Sequence, residues 1–391
     1  MVDPARLEST LVRLVQTPTG VPAGRTEIPP GDPAIAAAVT DVIGPLVEEL
    51  RPERIDLDAD SNLVARFGPN PDAGALLLVY VVSQHANQMA EPHAGRIVGG
   101  ARYGLAGRCV LGQGATQNKG AMAAVLEALH DLADLRAGVT LAVNTEGRSS
   151  HGGSKALLDG LGAEGAWGLV AIGTDLQVSV GNRGRVDVRI EVLGASAHSS
   201  QPWLGANPIP IAAEAVRRLD ALGLPQPHPD LGAASITPYQ LRCDPVAPHT
   251  IPQRVQVVVD RRLLPGEDPE AAAAAIRAAL PPVRGFEVRV ELGPLMWPAL
   301  VDPTHLAVQA LVGGVRAAGR DGGTCYSPNA FDAGYPCRVG IPTVMFGPGR
   351  RRFGGDGLLA DEVVAVDDCV VAAEAIRTAI LTWDGHSSRP R

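Results

Sequence analysis

Four short stretches of the sequence are apolar almost without interruption, and they constrain the fold more than any other feature. They are Leu76 to Ser83, Val139 to Asn144, Trp167 to Ile172 and Pro342 to Gly347, and helical stretches separate them. Strands buried on both faces have this uninterrupted character, whereas half-exposed strands alternate. The pattern predicts an α/β fold with a mixed, largely parallel sheet and crossover helices, one of them over Lys119 to Leu132.

The middle of the chain has a different rhythm, in which polar and apolar residues alternate along three stretches and helical stretches lie between them. In chain order these segments run over Arg185 to Leu193, 209–222, 234–242, 254–263, 269–280 and 286–291. The order βαββαβ with half-exposed strands predicts a second, ferredoxin-like domain. We expect it over 181–295, inserted into a first domain made of 1–180 and 296–391.

Charge and composition narrow the class of ligand. The chain has 391 residues and a formal net charge of −8, and its arginines are scattered, so no basic patch for nucleic acid or an anionic membrane is evident. The start MVDPARLESTLVRLV lacks a signal peptide's apolar core, and no apolar run approaches the roughly 20 residues that cross a bilayer. Five cysteines without a CxxC pair predict neither a disulfide framework nor a zinc finger. We expect a cytoplasmic protein that binds a small molecule.

Polar residues follow three of the apolar runs. His85 and Asn87 come after the first run, Thr145 and Glu146 after the second, and Asp175 after the third. Ligands of open α/β sheets bind beyond the carboxyl ends of the strands, so these side chains are candidates for a site. The glycine-rich loop GQGATQNKGA also opens a helix, but it matches neither a Walker A motif nor GxGxxG.

Three longer motifs point to one family. GNRGRVDVRIEVLGASAHSSQPWLGANPI, GIPTVMFGPG and LGQGATQNKGAMAA resemble, in this family's order, segments of the M20 metallopeptidases and amidohydrolases. That family includes acetylornithine deacetylase, succinyl-diaminopimelate desuccinylase, aminoacylase and glutamate carboxypeptidase. The resemblance covers essentially the whole chain and implies a zinc-peptidase-like catalytic domain with an inserted lid and dimerisation domain.

The resemblance implies an amide-hydrolysing site with two zinc ions, bridged by an aspartate and served by a general-base glutamate. His85 falls on the first histidine ligand and Glu146 on a carboxylate ligand. The other positions carry different residue types: Asn87 for the aspartate that orients the histidine, Gln117 for the bridging aspartate, Thr145 for the general base, Ile172 near the third carboxylate and Leu358 for the final histidine. Asp175 lies three positions beyond Ile172.

Two zinc ions bring four positive charges, which bound carboxylates normally offset. Only Glu146 and Asp175 remain to do so, and Gln117 is a poor bridging ligand. We therefore predict an incomplete or rearranged metal site. Zinc, with at most one ion held by His85, Glu146 and Asp175, is the expected cofactor, and a metal-free site is the open alternative.

The binding residues implied by the resemblance are better kept than the metal ligands. His198 matches the lid histidine that crosses the dimer interface to stabilise an oxyanion, which implies a homodimer. Together with Glu146 and Thr145 it forms the predicted catalytic set. The predicted substrate-binding set, which includes arginines for a substrate carboxylate, is Asn87, Gln117, Arg183, Asn207, His249, Arg262 and Asp332.

Three functions remain open at this stage. The first is an M20-like amidohydrolase of a small N-acyl or peptide-like substrate with a rearranged metal site. The second is a metal-independent enzyme that uses the same pocket for transfer, cyclisation or isomerisation. The third is a catalytically silent homologue that binds a ligand or a partner.

Overall fold

A computed structural model describes most of the chain in two units. The described residues are 1–22, 25, 28–83, 89–146, 152–162, 164–280, 282–349 and 361–386. Unit 1 is drawn from Met1–Gly181, Ala299–Tyr326 and Asp332–Arg391, and unit 2 from Asn182–Pro298 and Ser327–Phe331. Within the described residues, no helix is both long and apolar enough to cross a membrane.

Helices lie in both units. Those of unit 1 are α1 Pro4–Gln16, α2 Pro33–Ala38, α3 Gly44–Glu48, α4 Gly120–Leu129, α5 Gly152–Leu161, α8 Leu306–Ala317, α9 Gly334–Arg338 and α10 Val366–His386, and those of unit 2 are α6 Ile209–Asp220 and α7 Pro269–Ala279. The first begins as its sequence predicts, because the Asp3 carboxylate accepts hydrogen bonds from the backbone of Ala5 and Arg6 and Pro4 occupies the first turn. Its buried stripe is Leu7, Leu11, Leu14 and Val15.

The strands are short in unit 1 and longer in unit 2. In unit 1 they are β1 Arg54–Leu57, β2 Leu63–Phe67, β3 Ala75–Tyr80, β4 Arg96–Gly99, β5 Arg108–Leu111, β6 Val139–Asn144, β7 Trp167–Ala171, β8 Val178–Asn182, β15 Ala299–Leu300, β16 Thr324–Ser327, β17 Thr343–Phe346 and β18 Val363–Ala365. In unit 2 they are β9 Gly184–Leu193, β10 Ala197–His198, β11 Ser235–Asp244, β12 Thr250–Ile251, β13 Arg254–Leu263 and β14 Glu287–Met296.

The four apolar runs form the centre of the large sheet of unit 1. Its strand order is β1-β2-β6-β3-β7-β17-β8-β15, and β6, β3, β7 and β17 are parallel. All residues of these four strands are buried, because helices pack against the sheet as parallel connections require. The predicted α/β fold with a mixed, largely parallel sheet is confirmed.

Other parts of unit 1 lack such a signal. β1 and β2 form an antiparallel edge, and β1 is largely exposed. A separate three-stranded sheet has the order β18-β5-β4. Strands of three to five residues with mixed burial have too little periodicity to be recognised in a sequence. Next to the point where unit 2 begins, the backbone of Val301 donates to the Val180 carbonyl at 2.8 Å, so β8 and β15 are neighbours.

Unit 2 has the predicted βαββαβ order, in β9, α6, β11, β13, α7 and β14. Its antiparallel sheet has the order β11-β13-β9-β14. The apolar residues of β9 and β13 form a core with Leu219 of α6 and Ile276 of α7. The first and last strands are neighbours, with Arg185 opposite Met296, so the two ends of the insertion lie side by side.

Candidate functional site

Three of the residues implied by the family resemblance fall outside the described residues. They are His85, Asn87 and Leu358. The remaining predicted residues can be placed, and in unit 1 they lie at or near the carboxyl ends of the parallel strands, where a ligand of an open α/β sheet binds.

Thr145 and Glu146 directly follow β6. The Thr145 hydroxyl lies 2.8 Å from Asn62 Oδ1 and 3.0 Å from the Asp60 carbonyl, and the Thr145 backbone N–H also donates to Asn62 Oδ1. The Glu146 backbone N–H donates to Asn144 Oδ1 at 2.9 Å, and the residue is 6% exposed. These contacts hold both residues at the strand end and use the Thr145 hydroxyl as a donor to the scaffold.

Gln117 lies in a tight helical turn before α4, and its side chain contacts a buried carboxylate. Gln117 Nε2 donates to Glu362 Oε1 at 2.7 Å, and Glu362 also accepts from the backbone N–H of Gly114 and from the Thr116 hydroxyl, both at 3.0 Å. The turn begins at Gly114, whose φ of +84° favours glycine. A buried carboxylate needs such donors, so this network fixes the direction of the Gln117 amide.

The same turn ties together the ends of three strands. Asn118 Nδ2 donates to the Tyr80 carbonyl at 2.8 Å and its Oδ1 accepts from the Ser83 hydroxyl at 3.0 Å, both beyond or at the end of β3. The Gln117 carbonyl accepts from the backbone of Gly173 after β7 at 2.9 Å, and Val81 donates to the carbonyl of the last residue of β6. The turn therefore sets the spacing of the segments that carry the predicted residues.

Lys119, which ends this turn, is 3% exposed. Its Nζ donates to the Thr17 carbonyl at 2.8 Å, at the end of α1. Burial lowers the pKa of Lys119 to about 7 from its ordinary 10.5, and the nearby Glu362 opposes that shift only in part. Burial, and then the charge of Lys119, also lower the pKa of His93. An amine of this kind changes charge near neutral pH.

Asp175 and Asp332 are in contrasting environments. Asp175 is exposed and has a φ of +59°, and its backbone N–H donates to the Gly349 carbonyl at 2.9 Å. Its charge also helps to raise the pKa of Asp368, after burial, which is the larger cause. Asp332 is fully buried, and its Oδ2 accepts from the Tyr80 hydroxyl at 2.6 Å.

In unit 2, the neighbours of His198 select one tautomer. The Ser200 backbone N–H donates to His198 Nδ1 at 3.2 Å, and the Ser200 hydroxyl lies 2.8 Å from the same atom. A nitrogen that accepts from a backbone N–H carries no proton, so in the neutral ring the proton is on Nε2. The exposed His198 therefore presents an N–H donor at Nε2, the group that an oxyanion requires.

His249 stacks on His198, with ring centroids 6.2 Å apart and an interplanar angle of 27°. The His249 carbonyl accepts from the Ser199 backbone at 2.7 Å, and its φ is +54°, a strained value for a residue other than glycine. Asn207 Oδ1 accepts from the Ile209 backbone at 3.1 Å, at the start of α6. The structure thus brings together two of the predicted residues of unit 2.

The two predicted arginines already have partners within unit 2. Arg183 donates from Nε and Nη2 to the Leu231 carbonyl, and Arg262 donates from Nε and Nη2 to Asp260 Oδ2 at 3.0 and 2.7 Å. Their binding of a substrate carboxylate stays a prediction. Such binding would have to share or replace these contacts.

Sequence reasoning missed Glu362, the acceptor of the network around Gln117. It lies in the stretch GGDGLLADEVV, whose acidic residues have the composition of a solvent-exposed loop. Only the pairing of β18 with β5, which directly follows Glu362, shows that its carboxylate is buried. Within the ranges that the structure describes, no group of three or more His, Cys, Asp or Glu side chains is arranged to hold a metal ion.

Comparison with known proteins agrees with the fold. The peptidase dimerisation domain of the M20 family matches residues 180–283. A succinyl-diaminopimelate desuccinylase from Rhodospirillum centenum is 27% identical over 353 residues, which cover 85% of each chain.

Solved structures of M20 enzymes superpose over nearly the whole chain. The carboxypeptidase Sso-CP2 from Sulfolobus solfataricus, described as a metallo-carboxypeptidase of the M20 family, has a TM-score of 0.77 at 16% identity, covering 98% of this chain and 100% of that one. Human carnosine dipeptidase 1 has a TM-score of 0.69 at 14% identity, covering 98% and 97%. At such identities a superposition shows the fold alone.

Polar residues gathered at the strand ends of an α/β sheet, with a second α/β unit inserted, define an enzyme-type architecture. More specifically, the chain has the fold of the M20 peptidases and carries their dimerisation domain. The resemblance predicted from the sequence motifs is confirmed.

Proposed function

We propose that the chain is an M20-type amidohydrolase that acts on the amide bond of a small N-acyl or peptide-like substrate bearing a carboxylate, with a metal site that differs from the two-zinc site of the family. The observation that carries the second part is the Gln117 amide, which donates to the buried Glu362 carboxylate. The fold and the named relatives support the first part.

The described residues do not fit a two-zinc centre. At the bridging position, Gln117 has a neutral amide, and its nitrogen points to Glu362, so it cannot offset two divalent charges as a bridging carboxylate does. Glu362 is not available instead, because donors already occupy both of its oxygens. We therefore route no step of the reaction through a metal pair.

The reaction roles follow from the chemistry of two side chains. Glu146, a carboxylate held at the end of β6, is the proposed acceptor for the proton of the attacking nucleophile. His198, as the Nε2–H tautomer, is the proposed donor to the oxyanion of the tetrahedral intermediate. Asn87, Gln117, Asn207, His249 and Asp332 are proposed to position the substrate, and Arg183 and Arg262 to meet its carboxylate.

A second function is favoured by Thr145, the residue at the general-base position. Its hydroxyl donates to Asn62 and cannot take a proton from water near neutral pH. Transfer, cyclisation or isomerisation at a carbonyl needs no such activated water. This alternative uses Glu146 and His198 in the same roles.

We further propose that the chain works as a cytoplasmic homodimer. The match of residues 180–283 to a peptidase dimerisation domain supports the dimer. Sedimentation velocity at micromolar concentration is expected to give twice the mass of one chain. A monomer at that concentration would contradict the proposal.

The first experiment measures metal content and hydrolysis together. The untagged protein is incubated with zinc and desalted, its zinc is measured by inductively coupled plasma mass spectrometry, and amine release is followed on N-acetyl, N-succinyl and dipeptide substrates. We expect at most one zinc per chain and release of amine from at least one substrate class. Two zinc ions per chain would refute the altered site.

Variants separate chemistry from binding. Glu146→Gln and His198→Asn are each expected to lower kcat at least a hundredfold, whereas Glu91→Gln, an exposed carboxylate outside the candidate site, leaves it unchanged. If substrate is bound but no bond is cleaved by the parent protein, the catalytically silent reading replaces the proposal. Unchanged kcat in both variants would remove these residues from the mechanism.

A further inference from the structure

A pocket of about 410 Å³ lies in unit 1 between α5 and α9. Its α5 side is formed by Lys155, Leu158, Asp159 and Gly162, whose spacing of three and four residues places them on one helix face. Sites for small molecules typically measure roughly 300–1,000 Å³. The pocket therefore has room for a small organic ligand.

This pocket is separate from the candidate site. Leu76, in its lining, is the second residue of β3, and Ile341 lies two residues before β17. Both strands are parallel, so the pocket lies at the amino-terminal edge of the sheet, whereas Glu146 follows a carboxyl end. At about 3.3 Å per residue, the six residues of β3 put roughly 20 Å between the two edges.

The lining combines an apolar interior with a charged rim. Leu158 and Ile341 are buried, while Lys155, Asp159 and Arg338 carry the charges, with a formal sum of +1. Lys155 and Asp159 form an ion pair one helical turn apart. A mostly apolar body with one anionic group matches such a lining, since the apolar part leaves water and the anion meets the cations.

We propose that the α5–α9 pocket is a second ligand site, for a small organic monoanion with an apolar body and one carboxylate. The site does not depend on the proposed reaction. It is placed to influence the candidate site, because α5 begins six residues after Glu146 and α9 begins two residues after Asp332. A ligand held between these helices restrains both segments.

The test is isothermal titration of the full-length protein with hexanoate, and with 1-hexanol as its uncharged counterpart. We expect saturable one-to-one binding of hexanoate and weaker binding of hexanol. Arg338→Glu is expected to raise the Kd for hexanoate at least tenfold and to leave that for hexanol within twofold. Arg13→Glu, an exposed arginine on α1, is the control and leaves both unchanged.

A second variant fills the pocket. Val339 lines it and is 55% exposed, so Val339→Trp adds bulk without disturbing the core and is expected to abolish binding of both ligands. Val246→Trp, at a position 90% exposed in unit 2, is the matched control. Binding that survives Val339→Trp, or that Arg13→Glu weakens as much as Arg338→Glu, would overturn the proposal, as would no binding at millimolar hexanoate.

Discussion

Lys119 gives a test of how far burial shifts an amine in this fold. Its pKa is lowered to about 7, whereas an unfolded chain keeps the ordinary value of 10.5. Between these values the unfolded state binds more protons than the folded state, so the stability contribution of Lys119 rises with pH across that window. Below about pH 7 the amine is protonated in both states, and the contribution is flat.

The size of the effect follows from the two pKa values. The full shift corresponds to about 5 kcal/mol, at about 1.4 kcal/mol per pKa unit, and about half of it falls between pH 6 and 9. Urea unfolding of the parent protein and of Lys119→Met over that range isolates this contribution, since other groups titrate equally in both. The difference in unfolding free energy is expected to change by about 2–3 kcal/mol in favour of the parent.

The second lysine supplies the control. Lys119 and Lys155 are the two lysines of the sequence, and Lys155 has a side chain that is 52% exposed. Lys155→Met is expected to show the same pH dependence as the parent. Labelling with lysine carrying ¹³C at Cε gives two resonances, of which one is expected to titrate near pH 7. Parallel pH profiles for the parent and Lys119→Met, or two resonances that both titrate near 10, would refute the burial argument.

Three further substitutions are measured by urea unfolding. Gln117→Asp places a second carboxylate beside buried Glu362 and is expected to cost about 3 kcal/mol; unchanged stability would contradict the network. Asn62→Ala removes two acceptor contacts of Thr145 and is expected to cost about 1–2 kcal/mol, an effect that should shrink in a Thr145→Val background. Arg6→Met leaves a buried α4 carboxylate without its cation, at about 3 kcal/mol; a loss below 1 kcal/mol would show that the ion pair is dispensable.

The sequence allowed the framework of the fold to be predicted. Uninterrupted apolar runs and alternating stretches report burial directly, and that is why the parallel strands and the βαββαβ unit were both recognised. The short strands β4, β5 and β18 were missed because three or four residues carry no reliable period. The predicted α4 helix from Lys119 begins one residue later, after the turn that Gly114 starts.

The candidate site was predicted as a set of residue types and not as a set of contacts. Motif positions identified Gln117 and His198, but the partners that fix them, Glu362 and Ser200, follow from geometry. A buried charge such as Glu362 looks like any loop carboxylate in sequence, because burial depends on segments far apart in the chain. For the same reason, the neutral-range amine of Lys119 was expected to be an ordinary cation at the start of a helix.

The insertion of unit 2 closes on both sides. Within unit 2, Arg185 near its start pairs with Met296 near its end, and within unit 1, Val180 bonds to Val301. Each unit therefore sees the other's segment as a loop with adjoining ends, and loop closure over a short span costs little entropy. Gene segments for 183–297 are thus natural units of exchange. Expressed alone they should fold, and a short glycine linker in their place should leave the large sheet continuous.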